Sequence, residues 1–115
     1  MKNILLFLFM FLPIVASADE SGSCGNNVTY TYEEATKTLT ISGSGPMYNY
    51  ESGSHPWENY IIHNVIIELG VTSIGNYAFN FLSGLTSVTI PNSVVKIGDN
   101  SGCSKVNNVG QILLV

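Results

Sequence analysis

Two histidines, two cysteines and the adjacent acids Glu33-Glu34 are the residues of this 115-residue chain best placed for reactive chemistry. His55 and His63 stand eight apart with no further Cys or His at ligand spacing, so no metal centre is expected. His63 falls beside Asn64 at the start of a strand pattern and reads as a solvated surface histidine. Glu33-Glu34 lies in a turn, whereas paired catalytic carboxylates need opposed positions across a cleft. Serines are plentiful, yet none sits in a Gly-x-Ser-x-Gly elbow with a base at hand. Gly43-Ser44-Gly45 lacks the following lysine and helix of a phosphate loop. The chain does not read as an enzyme, and neither catalytic residue nor cofactor is expected. A further candidate is aromatic. Tyr48, Tyr50, Trp57 and Tyr60 could stack on sugar rings as a carbohydrate-binding module, or cover the open end of the first repeat as a cap.

The elements that must position these residues are legible as a repeat. Residues 62–76 and 85–99 superpose at a shift of 23 positions, placing Val65 on Val88, Ile67 on Ile90, Val71 on Val94, Ile74 on Ile97 and Gly75 on Gly98. A fixed period in the 20s marks a solenoid, in which each repeat buries its apolar positions against its neighbours. Val-x-Ile is then a short strand with its middle residue outward, and successive strands stack in parallel. The fold class expected is mostly β: a solenoid with parallel strands, preceded by an N-terminal β-hairpin cap. The hairpin is read from Val28, Tyr30 and Tyr32 alternating with threonines, then Leu39 and Ile41 beyond the polar 33–37 turn. Residues 18–27 are rich in Gly, Ser and Asn and read as a loose leader. Residues 47–60 read as an irregular loop with one short helical turn near Trp57.

Four segments are therefore expected. Residues 1–18 form a signal peptide: Lys2 supplies the basic start, Ile4 to Val15 the apolar stretch, and Ala16-Ser17-Ala18 the cleavage form, with cleavage after Ala18. The apolar stretch is too short to span a bilayer, which takes roughly 20 residues. The product is then secreted or held at the cell surface, and does not span a membrane once cleaved. Residues 19–61 hold the leader and hairpin, 62–109 the repeats, and 110–115 an apolar tail. After cleavage three lysines and no arginine stand against eight acids, which argues against nucleic acid as a partner. Cys24 and Cys103 enter an oxidising compartment, but their Cα atoms need to lie within about 7 Å to bond. Repeats at roughly 4.8 Å each would hold them further apart. The alternative is two small buried apolar residues.

Val-Thr-Ser-Ile-Gly-Asn-Tyr-Ala-Phe at 71–79 and Leu-Thr-Ser-Val-Thr-Ile-Pro-Asn-Ser-Val at 85–94 resemble the BspA-like leucine-rich repeat surface proteins of bacteria. The resemblance extends N-terminally through Thr38–Tyr48 and Pro56-Trp57. It implies a non-catalytic protein-binding or adhesion module, engaging a host or matrix protein. The outward strand residues Asn64, Ile66, Glu68, Ser87 and Thr89 form the expected partner-binding face. The sequence departs from the pattern at its last repeat, where Asn100-Ser101 stand in place of Tyr-Ala-Phe, two residues are missing before Cys103, and nothing replaces Phe79. Ile112 to Val115 then end the chain without a polar cap, which suggests self-association through that edge. A truncated structural paralogue without binding activity is the competing reading.

Overall fold

The computed structural model describes residues 19–106 and 112–114, with side chains as far as Gly102. Three antiparallel strands open it: β1 (Glu20–Gly25), β2 (Val28–Glu33) and β3 (Thr38–Gly43). In β2 the alternation is complete, with Val28, Tyr30 and Tyr32 buried and Thr29, Thr31 and Glu33 exposed. The supposedly loose leader is corrected here. Glu20–Gly25 pairs with β2 from Glu20↔Tyr32 to Gly25↔Val28, with one bulge after Ser23. Its small residues make this possible: Gly22 leaves room for the Tyr30 ring, which a Cβ would approach to 2.8 Å. Cys24 turns inward and is fully buried.

The pairing ladder then crosses directly from the hairpin into the repeats. Strand β3 pairs in parallel with β5 (Asn64–Ile67), and β5 with β7 (Ser87–Thr89), to give a five-stranded sheet. Leu39, Val65 and Val88 align across it, as do Thr40, Ile66 and Thr89. A second sheet stacks β4 (Gly45–Pro46), β6 (Val71–Ile74) and β8 (Lys96–Ile97), also in parallel. The segment 38–61 thus runs alongside the repeats as one of them, with a shift of 26 residues between Thr38 and Asn64 and then 23 between Asn64 and Ser87.

Side chains continue the ladder at the corners. Asn49 Oδ1 accepts the Asn76 N–H at 2.9 Å, and Asn76 Oδ1 accepts the Asp99 N–H at 2.8 Å. Backbones come so close there that a Cβ on Gly98 would sit 2.5 Å from the Asn76 nitrogen, so only glycine fits. The core lies between the two sheets, with Leu39, Ile41, Val65, Ile67, Val71, Ile74, Val88 and Ile90 all buried. The inward positions read from the 23-residue period are therefore the buried ones, except that Val94 and Ile97 are only partly covered.

The last elements are β9 (Cys103–Val106) and β10 (Ile112–Leu114), paired antiparallel. The expected unpaired tail is thus corrected for Ile112–Leu114, one edge of which is taken by β9. Among the described residues there is no helix, and none long and apolar enough to cross a membrane. The expected signal peptide and its cleavage after Ala18 lie outside the described residues.

Candidate functional site

Period-2 alternation fixes which strand residues face solvent, and parallel register sets them side by side. Asn64, Ile66 and Glu68 project from β5 and its end, and Ser87 and Thr89 from β7. Ile66, Glu68 and Thr89 are exposed, while Asn64 and Ser87 are half-buried because they engage each other. The Ser87 hydroxyl donates to Asn64 Oδ1 at 2.8 Å. All five expected residues therefore share one face.

The same face continues beyond the five expected residues. Thr38 and Thr40 align with Asn64 and Ile66, and Thr31 and Thr29 align in turn with Thr40 and Ser42. The period-2 pattern of Thr29, Thr31, Thr38 and Thr40 carried the signal, but the join between hairpin and repeats was needed to use it. The extended face is rich in hydroxyls, with Ile66 its exposed apolar residue at 39% and Glu33 and Glu68 its acids. Such groups can donate and accept hydrogen bonds. They offer no nucleophile with an adjacent base.

The aromatic segment is placed differently. Trp57 is fully buried, and its Nε1–H donates to the Ala78 carbonyl at 2.8 Å. Around it stand Tyr30 at 5.3 Å and Tyr50 at 5.9 Å edge-on, with Phe79 at 5.8 Å and His55 at 5.7 Å stacked. Tyr60 stacks on Tyr32 at 4.6 Å. A buried indole presents no ring face to a sugar, so this set joins hairpin to repeats as a core. Tyr48 stands apart, 43% exposed. Burial pushes the Tyr60 phenol up to about 12 and also raises Tyr50.

His55 was not foreseen as a core residue. It is 2% exposed, and its Nε2–H donates to the Asn80 carbonyl at 2.9 Å. Nδ1 is buried without a partner. His63 is exposed, as its position beside outward Asn64 suggests. No group of three or more His, Cys, Asp or Glu is gathered to hold a metal among the described residues. Cys24 is a free thiol whose burial pushes it up to about 12, the state of an inert core residue.

The repeat register also relocates the departure in the last repeat. Tyr77 N–H donates to Asp99 O at 3.0 Å and Phe79 N–H to Ser101 O at 2.9 Å. This parallel spacing sets Tyr77, Ala78 and Phe79 beside Asn100, Ser101 and Gly102. The shift of 23 is thus kept through Gly102, so no residue is missing before that point, and Phe79 is answered by a glycine.

A family profile for the BspA type leucine rich repeat region (6 copies) matches residues 51–110. The crystal structure of a leucine-rich repeat protein from Eubacterium ventriosum ATCC 27560 is similar, with a TM-score of 0.70 and 30% identity. That similarity covers 76% of this chain and 24% of the other, so the chain spans about a quarter of that protein. A comparison with curated protein sequences finds no match. Stacked parallel strands in a 23-residue register, matched to that profile over 60 of 115 residues, place the chain in the BspA-type leucine-rich repeat family.

Proposed function

We propose that this chain is an exported, non-catalytic protein-binding module of the adhesion type, secreted or held at the cell surface. In this reading the repeats form a solenoid and the Glu20–Gly43 strands are its N-terminal cap. The observation that carries it is the continuous outward face on which Asn64, Ile66, Glu68, Ser87 and Thr89 lie in register with Thr38 and Thr40. Only outward side chains can vary without disturbing the core, so recognition is placed there. The partner is a host or matrix protein. The basic start, apolar stretch and Ala16-Ser17-Ala18 support export, and secreted material should begin at Asp19.

Immobilised matrix proteins test the binding reading. Replacing Asn64, Glu68, Ser87 and Thr89 together by alanine should abolish binding and leave the circular dichroism spectrum unchanged. Undiminished binding by that variant would place recognition elsewhere. If the wild-type chain retains nothing while a longer array from the same source binds, the chain is a structural paralogue.

A further inference from the structure

The turn that joins β1 to β2 is Asn26-Asn27, closed by the Gly25↔Val28 pair. Asn27 opens Asn27-Val28-Thr29, an acceptor sequence for N-linked sugar with no proline in its middle. No other asparagine of the chain is followed two residues later by Ser or Thr. Strand alternation then gives this sequence its geometry. Val28 is 1% exposed and turns into the core, so Asn27 and Thr29 are exposed together on the solvent side.

The turn itself is held in place. The Asn27 carbonyl accepts the Ser44 N–H at 2.9 Å, which ties the backbone to the end of β3. Asn26 is engaged through its side chain, whose Oδ1 accepts the Tyr48 hydroxyl at 3.4 Å. Sugar is joined to a chain as it enters the secretory route, so the finished fold has to leave the carried sugar in water. An exposed hairpin tip does this and leaves Val28 in the core. Strand β3 also lies between this hairpin and β5, so the point of attachment is clear of Asn64, Ile66, Glu68, Ser87 and Thr89.

We propose that Asn27 is the attachment site of an N-linked oligosaccharide, added during export. Gly25 places no acid two residues before it, so the transferase is of the type that reads Asn-x-Thr alone. The donor is a lipid-diphosphate-linked oligosaccharide. Asn27 Nδ2 bonds to the anomeric carbon of the first sugar and gives up one proton. The bond from that carbon to the diphosphate breaks, and the lipid diphosphate leaves with the electron pair. This proposal rests on the export reading.

The test makes the chain in eukaryotic secretory cells in two forms, one with residues 1–18 and one with a proven signal peptide in their place. Protein from medium and cell extract together is resolved by gel electrophoresis. Both forms are expected to migrate more slowly than the bare chain. Peptide N-glycosidase should reverse the shift and turn the Asn27 amide into a carboxyl, located by tandem mass spectrometry. Asn27→Gln and Thr29→Ala should each abolish the shift, while Thr29→Ser and Asn26→Gln should keep it. Secreted Asn27→Gln should match the circular dichroism spectrum of the deglycosylated wild type, separating loss of the sugar from loss of the fold. Absence of sugar from the form with the proven signal peptide would overturn the proposal, as would a shift that survives in Asn27→Gln. Sugar on that form and none on the chain with residues 1–18 would instead defeat the export reading and keep Asn27 as the acceptor.

Discussion

Replacing Trp57 by alanine should be the most damaging single change in this protein. Its indole is fully buried among four rings 5.3–5.9 Å away, and its Nε1–H satisfies the Ala78 carbonyl at 2.8 Å. Emptying a buried Trp site costs roughly 3–5 kcal/mol through lost transfer energy and the cavity left behind. Orphaning the buried carbonyl adds about 1–3 kcal/mol, although the two effects share a site and are not strictly additive. Set against the roughly 5–15 kcal/mol that stabilises an ordinary domain, Trp57→Ala should lose a third or more of the total. Trp57→Phe keeps a ring and loses the donor, so about 2 kcal/mol is expected. Tyr48, 43% exposed, should cost less than about 1 kcal/mol as alanine. Urea unfolding followed by far-UV circular dichroism measures all three, since Trp57 is the only tryptophan and its fluorescence is lost with it. At ~1–3 kcal/mol per molar urea, Trp57→Ala should lower the midpoint by about 2 M. A shift below about 0.5 M, or equal losses for Tyr48→Ala and Trp57→Ala, would refute the aromatic core as the join between hairpin and repeats.

Ser101→Ala should stabilise the protein. Ser101 occupies the position that Ala78 holds one repeat earlier and is 1% exposed, with its hydroxyl unpartnered. Removing it should yield on the order of 1 kcal/mol and raise Tm by roughly 4 °C; a lowered Tm would contradict this. Cys24, pushed up to about 12, should react with a disulfide reagent at pH 8 roughly a thousandfold more slowly in the folded protein than in urea, measured in a Cys103→Ser background. Equal rates would show that the thiol is accessible. Alkali should unfold the chain cooperatively. The Tyr60 phenol ionises near 10 when unfolded and near 12 when folded, so the unfolded state loses its proton first and stability falls as pH rises between those values. Tyr50 and Cys24, also raised by burial, act in the same direction. Urea midpoints should therefore decline from pH 9 to 11.5, less steeply in Tyr60→Phe, and a flat profile would discount the burial.

The repeat is legible in residue types and spacing alone. A 23-residue period in apolar residues specifies which side chains turn inward, because each strand must bury the same positions against the next. Val65 and Val88, and Ile67 and Ile90, accordingly occupy equivalent buried sites. The outward set Asn64, Ile66, Glu68, Ser87 and Thr89 follows from the same alternation. Tertiary structure decided what local pattern does not encode. Glu20–Gly25 has the composition of a loop and becomes a strand because Tyr30 and Tyr32 supply a partner edge, and backbone pairing needs no apolar side chain of its own. His55 is polar and isolated in sequence, but stacking on Trp57 and a bond to the Asn80 carbonyl carry it into the core. Gly102 is one glycine among eleven until the register sets it beside Phe79. Phe79 is answered by a glycine only because backbone pairing between residues some 23 apart sets that register, which no short window of sequence contains.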